Sequence, residues 1–403
     1  MNASAFSQVL PLLLAVLLFP GCHHAGTPES PLSYTVPVPD SCREEPGHRY
    51  YISEPGNIPA RQKLPLILAI DPHGDGKLAA DEFSSALRNI PAIVAGSDKI
   101  KNNDPEFVSS LSRLEADVRS KYPVDPEKII VAGFSGGARM AFYYGMNHRV
   151  LGIIMFGAGP GQSIRDAGSR RVYMASGTRD FNFMEQYLPP FTGMQDARSY
   201  MTDFFRGTHE WPPAETIYES VAWILKDEPG FPGNIPEDIS AELLAECDSL
   251  EESNDLFLAA KALEKAWVFA PEGRQRDRIS RKIEEFREQP GWNSSRKEFE
   301  GYLQMELKLK KAYVDRLADP DTAWWKNEIQ SLNRNISSCT DPEKEDFLYR
   351  LKGFIGIVLY SRINSLIREG LHTGELDRLM VIYEMAEPYN PDLIKFKKQV
   401  QQL

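Results

Sequence analysis

Basic residues are in deficit. Lys and Arg total 46 against 57 Asp and Glu, for a net charge of −11. No run of like charge is long enough to act as an interaction tail, so a nucleic-acid backbone finds no basic surface here and that class of partner is excluded. Cysteine is scarce as well: four in 403 residues exclude a disulfide-stapled scaffold. No Cys-x-x-Cys or His-x-x-x-His spacing occurs, so no metal site and no cofactor are expected. What is present, 42% apolar and 26% charged residues, suits a soluble protein of two or three domains, each burying its own core.

The apolar run Val9 to Phe19 is too short to span a membrane but has the length of a signal-peptide core. It closes on Gly21-Cys22, which resembles the lipobox of bacterial lipoproteins. That resemblance implies lipidation of Cys22 and a membrane-anchored place in the cell envelope, periplasmic or outer-membrane. The match departs in two ways: there is no Lys or Arg among residues 1–21, and Phe19-Pro20 replaces the usual Leu and small residue. Plain secretion, with Cys22 free or disulfide-bonded, is the other reading. Both expect export, with residues 1–21 as signal peptide and 22–48 as a polar tether. Export permits disulfides; Cys247 and Cys339 are one pairing that the sequence leaves open.

Short apolar runs then alternate with helical patterns. Arg49 to Ile52, Leu64 to Ile70, Ala92 to Ser97, Ile129 to Ala132, Leu151 to Gly157, Arg171 to Ser176 and Ser199 to Phe205 read as strands; Ala79 to Leu87, Phe107 to Tyr122 and Ala214 to Lys226 read as helices. The alternation predicts an α/β domain over 49–228 with a mostly parallel sheet, helices on both faces and function at the strand ends. At one such end stands Gly133-Phe134-Ser135-Gly136-Gly137, a strand, a sharp turn and a helix, the pattern of a nucleophile elbow. Side chains at Gly133 or Gly137 would collide with the neighbouring helix and strand. Ser135 would stand exposed at a helix N-terminus, which favours developing negative charge.

A serine hydroxyl needs a histidine to take its proton, and the histidine needs a carboxylate. Downstream of Ser135, Gly177-Thr178-Arg179-Asp180 places an acid just past a strand, and Gly207-Thr208-His209-Glu210-Trp211-Pro212 places a histidine before a helix. Asp180 and His209 are therefore the expected acid and base, with Asp203 and Asp166 as substitutes for the acid. His148 follows the nucleophile helix too closely to return over the sheet. The oxyanion donors are expected at Gly136 and in the loop after Ile70, at Gly74. Asp71, His73, Asp75, Gly76, Leu78 and Glu82 also imitate an EF-hand calcium loop. Nitrogen at His73, a stiff Pro72 and an entering strand oppose that likeness. Phe134, Phe181, Phe183 and Trp211 read either as an aromatic substrate wall or as core.

These motifs, Asp71-Pro72-His73-Gly74 included, resemble the α/β-hydrolase superfamily from about Tyr50 to Lys226. The likeness is to compact bacterial esterases related to feruloyl esterases and polyhydroxybutyrate depolymerases. It implies a nucleophile at Ser135, an acid at Asp180, a base at His209, oxyanion donors near Gly74 and Gly136, and ester hydrolysis through an acyl-enzyme. The stretch from Asp180 to His209 is short and carries Pro189-Pro190, and no long insertion offers a lid. An unlidded site accepts a small or polysaccharide-linked ester.

A Pro/Gly cluster at 229–238 reads as a linker to an all-helical region, 239–403, with amphipathic spacing such as Leu256, Ala259, Ala260, Leu263, Ala266 and Trp267. Ala262 to Pro271 and Leu379 to Pro388 resemble the second helix of tetratricopeptide-type repeats, without a clean period. The region is either a concave surface for a protein or polymer partner or a cap packed on the hydrolase domain; Trp324 and Trp325 bear on both readings. The sequence thus predicts an exported serine esterase. A binding lipoprotein with an idle hydrolase fold, and a serine peptidase of the same fold, are its two alternatives.

Overall fold

A computed structural model describes residues 32–56, 62–160, 170–187 and 200–402. The expected signal peptide, Cys22, Asp166 and Pro189-Pro190 lie outside the described residues. Eight strands form one sheet: β1 (Val38–Ser41), β2 (Arg49–Ser53), β3 (Leu64–Ile70), β4 (Ile93–Ser97), β5 (Val124–Phe134), β6 (Gly152–Phe156), β7 (Arg171–Gly177) and β8 (Tyr200–Phe205). Their order is β1-β2-β4-β3-β5-β6-β7-β8. β2 runs antiparallel to both β1 and β4, and from β4 to β8 every neighbouring pair is parallel.

Continuous apolar runs form these central strands because both of their faces are covered. In β3 the alternation is direct: Ile67 and Ala69 face one core, Leu66, Leu68 and Ile70 the other. Helices α1 (Gly76–Ala86) and α5 (Ala214–Leu225) pack on the first face; α2 (Phe107–Lys121) and α3 (Gly136–Asn147) pack on the second. A short helix, α4 (Phe183–Tyr187), follows β7.

Among the described residues, eight helices follow: α6 (Asn234–Glu252), α7 (Leu256–Phe269), α8 (Arg274–Glu288), α9 (Pro290–Arg316), α10 (Thr322–Ser337), α11 (Pro342–Arg368), α12 (Gly374–Ala386) and α13 (Pro391–Val400). Their starts are written locally. Asp255, Asp321, Asp341, Thr373 and Asn390 each accept a first-turn backbone N–H, and proline opens α9, α11 and α13 where a missing N–H costs nothing.

Two expected connections are shorter than their composition suggests. Residues 38–41, expected in the tether, form edge strand β1 because Asp40 accepts the Tyr50 hydroxyl at 2.7 Å and the Lys121 ammonium at 3.0 Å. In the Pro/Gly cluster, α6 already begins at Asn234 and carries Pro236 in its first turn. Ile235, Ile239, Leu243 and Cys247 of α6, with Leu256, Ala259 and Leu263 of α7, join the core that covers the α1/α5 face of the sheet. Residues Leu32–Leu403 accordingly make one compact unit. Trp325 is fully buried against Tyr313, and Arg316 covers Trp324 at 4.2 Å, so this tryptophan pair belongs to the helical core. Cys42, Cys247 and Cys339 are free thiols, and no Cys247–Cys339 bridge forms. Among the described residues no helix is long and apolar enough to cross a membrane.

Candidate active site

Ser135 joins β5 to α3 with φ 53° and ψ −117°, a strained backbone for a residue with a side chain. Its neighbours hold it there. The Ser135 N–H donates to Phe156 O at 2.7 Å. A Cβ on Gly133 would sit 2.4 Å from the Gly137 carbonyl carbon, and one on Gly137 would sit 2.2 Å from Ile70 O. Only glycine allows the helix to start this close to β3 and β5.

The structure brings Ser135, His209 and Asp180 together. His209 Nε2 lies 2.9 Å from Ser135 Oγ, and His209 Nδ1 lies 2.9 and 3.0 Å from the two Asp180 oxygens. An ionised carboxylate only accepts, so Nδ1 carries the proton and Nε2 is left to accept from the serine. Asp180 is fully buried and also accepts the Asn182 N–H at 2.7 Å. Burial pushes its carboxyl above the usual value, and the His209 hydrogen bond draws it back. Asp203, the substitute acid, is occupied elsewhere: it accepts the Tyr173 hydroxyl at 2.7 Å and pairs with Lys265.

The strand-end loops that carry acid and base support each other. Thr178 N–H donates to Phe205 O at 2.8 Å and Arg179 N–H to Gly207 O at 2.9 Å. The His209 ring is flanked by Phe134 and Phe181, with centroids 4.8 and 4.2 Å away. Both phenylalanines line a cavity of about 560 Å³ that opens on Ser135 and His209. Trp211 does not line it. Its ring packs 5.5 Å from Phe134, 6.2 Å from Phe83 and 6.1 Å from Phe156, so it backs the site from the core. Phe183 is likewise core, packed tilted or edge-on among Phe204, Phe257 and Phe299.

Gly74 is displaced from its expected role. It has φ +80° and its N–H donates to Asp71 O at 3.2 Å, closing a turn. The rest of that loop is also engaged: Asp71 Oδ1 accepts the N–H of His73 at 2.7 Å and of Asp75 at 3.4 Å, and Gly76 N–H donates to Asp98 at 3.1 Å. Asp75 caps α1 through Leu78 N–H at 2.9 Å, so the carboxylates that imitate a calcium loop build a strand-to-helix turn. Gly136 fits its expected place, because as first residue of α3 its N–H has no carbonyl within the helix to bind. A residue not foreseen stands beside it. A Cβ on Gly136 would lie 1.8 Å from Asn102 Oδ1 and 3.0 Å from Nδ2, and Asn102 lines the same cavity. Its position is pinned by its own N–H, which donates to Pro72 O at 2.8 Å.

The cavity has a roof drawn from the C-terminal helices. Tyr349, Ile357 and Tyr360 of α11 and Tyr383 of α12 close it from above, with Lys352, Glu387 and Asp392 as charged groups around them. The covering residues named here come from the end of the chain. Among the described residues, the one close set of metal-ligating side chains, Cys247, Asp248 and Glu251, lies on α6 outside the cavity lining, with Lys282 against Asp248 and Glu251.

No protein-family model and no curated protein sequence matches this chain. Solved structures align with about half of it. The S-formylglutathione hydrolase FrmB from Staphylococcus aureus is 11% identical over 48% of this chain and 96% of its own, with a TM-score of 0.36. A feruloyl esterase module from Clostridium thermocellum is 13% identical over 49% and 88%, also at 0.36. A bacterial heroin esterase is 14% identical over 48% and 83%, at 0.36. By its own strand order and its elbow, this chain has an α/β-hydrolase-type sheet followed by an all-helical region.

Proposed function

We propose that this protein is a serine hydrolase that cleaves a carboxylic ester through an acyl-enzyme. One observation carries the proposal: an unbroken hydrogen-bonded chain from Ser135 Oγ through His209 to the buried Asp180 ends on a cavity. His209 takes the hydroxyl proton as Ser135 attacks the ester carbonyl, and Asp180 holds the imidazolium that results. The negative charge on the carbonyl oxygen meets the Gly136 N–H and, in place of the engaged Gly74, the side-chain amide of Asn102. His209 then gives its proton to the leaving alcohol, and water activated by the same histidine releases the acid.

A volume of about 560 Å³ takes a small ester, or the acyl group of a larger one. Aromatic rings on floor and roof favour an aryl or sugar-bearing substrate over a long lipid chain. Export, and lipid attachment at Cys22, are proposed on the residues from Val9 to Cys22 alone; radiolabelled palmitate incorporated in a bacterial host, and lost in Cys22→Ser, tests them.

Fluorophosphonate labelling with intact-mass readout tests the enzyme. One adduct on wild type and none on Ser135→Ala or His209→Ala is the expected result, followed by turnover of p-nitrophenyl acetate. A folded wild-type protein that takes no adduct would overturn the proposal in favour of a binding role for the fold. Cleavage of peptide amides at a rate exceeding that of the matching esters would move it to the peptidases.

A further inference from the structure

The loop that carries Asp180 is gripped from the helical region on both sides of the acid. Arg350 of α11, fully buried, donates Nη1 to Thr178 O at 2.7 Å and Nε to Glu306 of α9 at 2.7 Å. Lys310 of α9 donates Nζ to Phe181 O at 2.8 Å and pairs with Glu306 at 2.7 Å. Glu306 is itself fully buried. One carboxylate therefore holds two cations, and each cation holds one backbone carbonyl, two residues before Asp180 and one residue after it. The Arg350 guanidinium also lies 4.6 Å over the Phe183 ring, at the end of the same loop. Arg179, next to Asp180, is tied to the same helix by Glu345 at 2.6 Å and Asp346 at 2.8 Å.

Stability alone is a poor reason for such a set. Withdrawing an anion and two cations from water costs several kcal/mol per ion, and apolar side chains of similar volume stabilise an interface as well or better. Ions give direction instead: a forked guanidinium fixes the distance and angle of the carbonyl it binds. The charges also sum to one excess positive charge beside a buried carboxylate that must stay ionised to hold the imidazolium. The Glu185 carboxylate also acts on Asp180 and raises it; it is committed to Arg139 at 2.8 Å.

We infer that Arg350, Glu306 and Lys310 are positioning residues for Asp180, so that the C-terminal helices form part of the catalytic apparatus as well as a roof over it. The inference rests on the serine-hydrolase proposal, and one control separates the two: wild type that takes no fluorophosphonate adduct removes that proposal before the clamp is tested. The test uses the full chain with Arg350→Met, Arg350→Lys and Lys310→Met, and a substrate too small to touch the roof, p-nitrophenyl acetate. Rates are expressed per fluorophosphonate-titrated site, so that loss of folded protein does not count.

The expected result for Arg350→Met is a kcat lower by about 10²-fold with KM changed less than about twofold, as a slight misplacement of a catalytic group produces. Arg350→Lys keeps the charge without the fork and recovers part of that loss. Lys310→Met loses about tenfold, again in kcat. The low-field proton resonance of His209 Nδ1–H, present in wild type, shifts or disappears in Arg350→Met. A kcat per site and a proton resonance both at wild-type values in Arg350→Met would overturn the inference. Where that variant does not fold, Lys310→Met decides, since it leaves the Arg350–Glu306 pair intact; unchanged kcat and resonance there overturn it equally.

Discussion

Asn102 tests the chemistry at the scale of one residue. If its amide faces the oxyanion, Asn102→Ala lowers kcat on p-nitrophenyl acetate by about 10²–10³-fold with little change in KM, the loss found when one such donor is removed. Asn102→Asp falls further, because a carboxylate repels the charge that the amide would have met. Affinity for a boronic-acid inhibitor weakens in parallel with kcat; a kcat within threefold of wild type in Asn102→Ala returns the role to backbone donors. Gly137 supplies a second test. Its Cβ position lies 2.2 Å from a backbone oxygen of β3, which no rotamer change relieves, so Gly137→Ala costs about 1–3 kcal/mol and moves Ser135 off its base. A lower urea midpoint and loss of labelling are expected. That Ser135, Asp180 and His209 meet was legible in the sequence because chain order and strand-end position bring them to one edge of the sheet. Asn102, Gly74 and Trp211 were not: whether an N–H is engaged in a turn, or a ring faces cavity or core, depends on neighbours far away in the chain.

At the scale of elements, patterning served well wherever burial is periodic. The strands from β3 to β7 stand where their apolar runs lie, and α7 covers the amphipathic stretch from Leu256 to Trp267. Edge strand β1 was hidden, since its residues Val38-Pro39-Asp40-Ser41 carry no apolar run and depend on Tyr50 and Lys121 for their place. Element ends also hold charge in unexpected states. Glu343, in the first turn of α11, is pushed up to about 7, first by burial, with Asp341 and Asp255 adding to it and Ser295 drawing it back. Its proton is held more firmly in the folded chain than in the unfolded one. Stability from this group is therefore fully present below about pH 4.5 and is lost as pH rises through about 7. Glu343→Gln removes that dependence. Urea midpoints measured at pH 5 and pH 8 should differ less in the variant than in wild type, with the wild-type loss on the alkaline side; an unchanged difference would place the pH dependence elsewhere.

At the scale of the whole molecule, the question is what joins the sheet to the thirteen helices of the described residues in one unit. Amphipathic spacing announced that each C-terminal helix buries a face, but it carries no record of what lies against that face, so cap and free surface were equal readings. The structure shows packing on the sheet through contacts that cross from sheet to helices. Lys265 of α7 is the clearest: nearly excluded from water, it pairs with Asp203 of β8 at 3.1 Å and Glu219 of α5 at 2.7 Å. Burial raises Glu219; burial also disfavours the charge on Lys265, but the two carboxylates outweigh it and raise Lys265, so one cation serves two acids. Removing the cation leaves both acids buried without a countercharge, which costs about 3–5 kcal/mol in comparable sites. Lys265→Met is therefore expected to lower the stability of the entire chain, sheet and helices together, in a single urea transition followed by both tryptophan fluorescence and Ser135 labelling. Two separated transitions, with labelling lost at one midpoint and helical signal at another, would show instead that the sheet and the C-terminal helices fold independently and that their shared core is a docking contact.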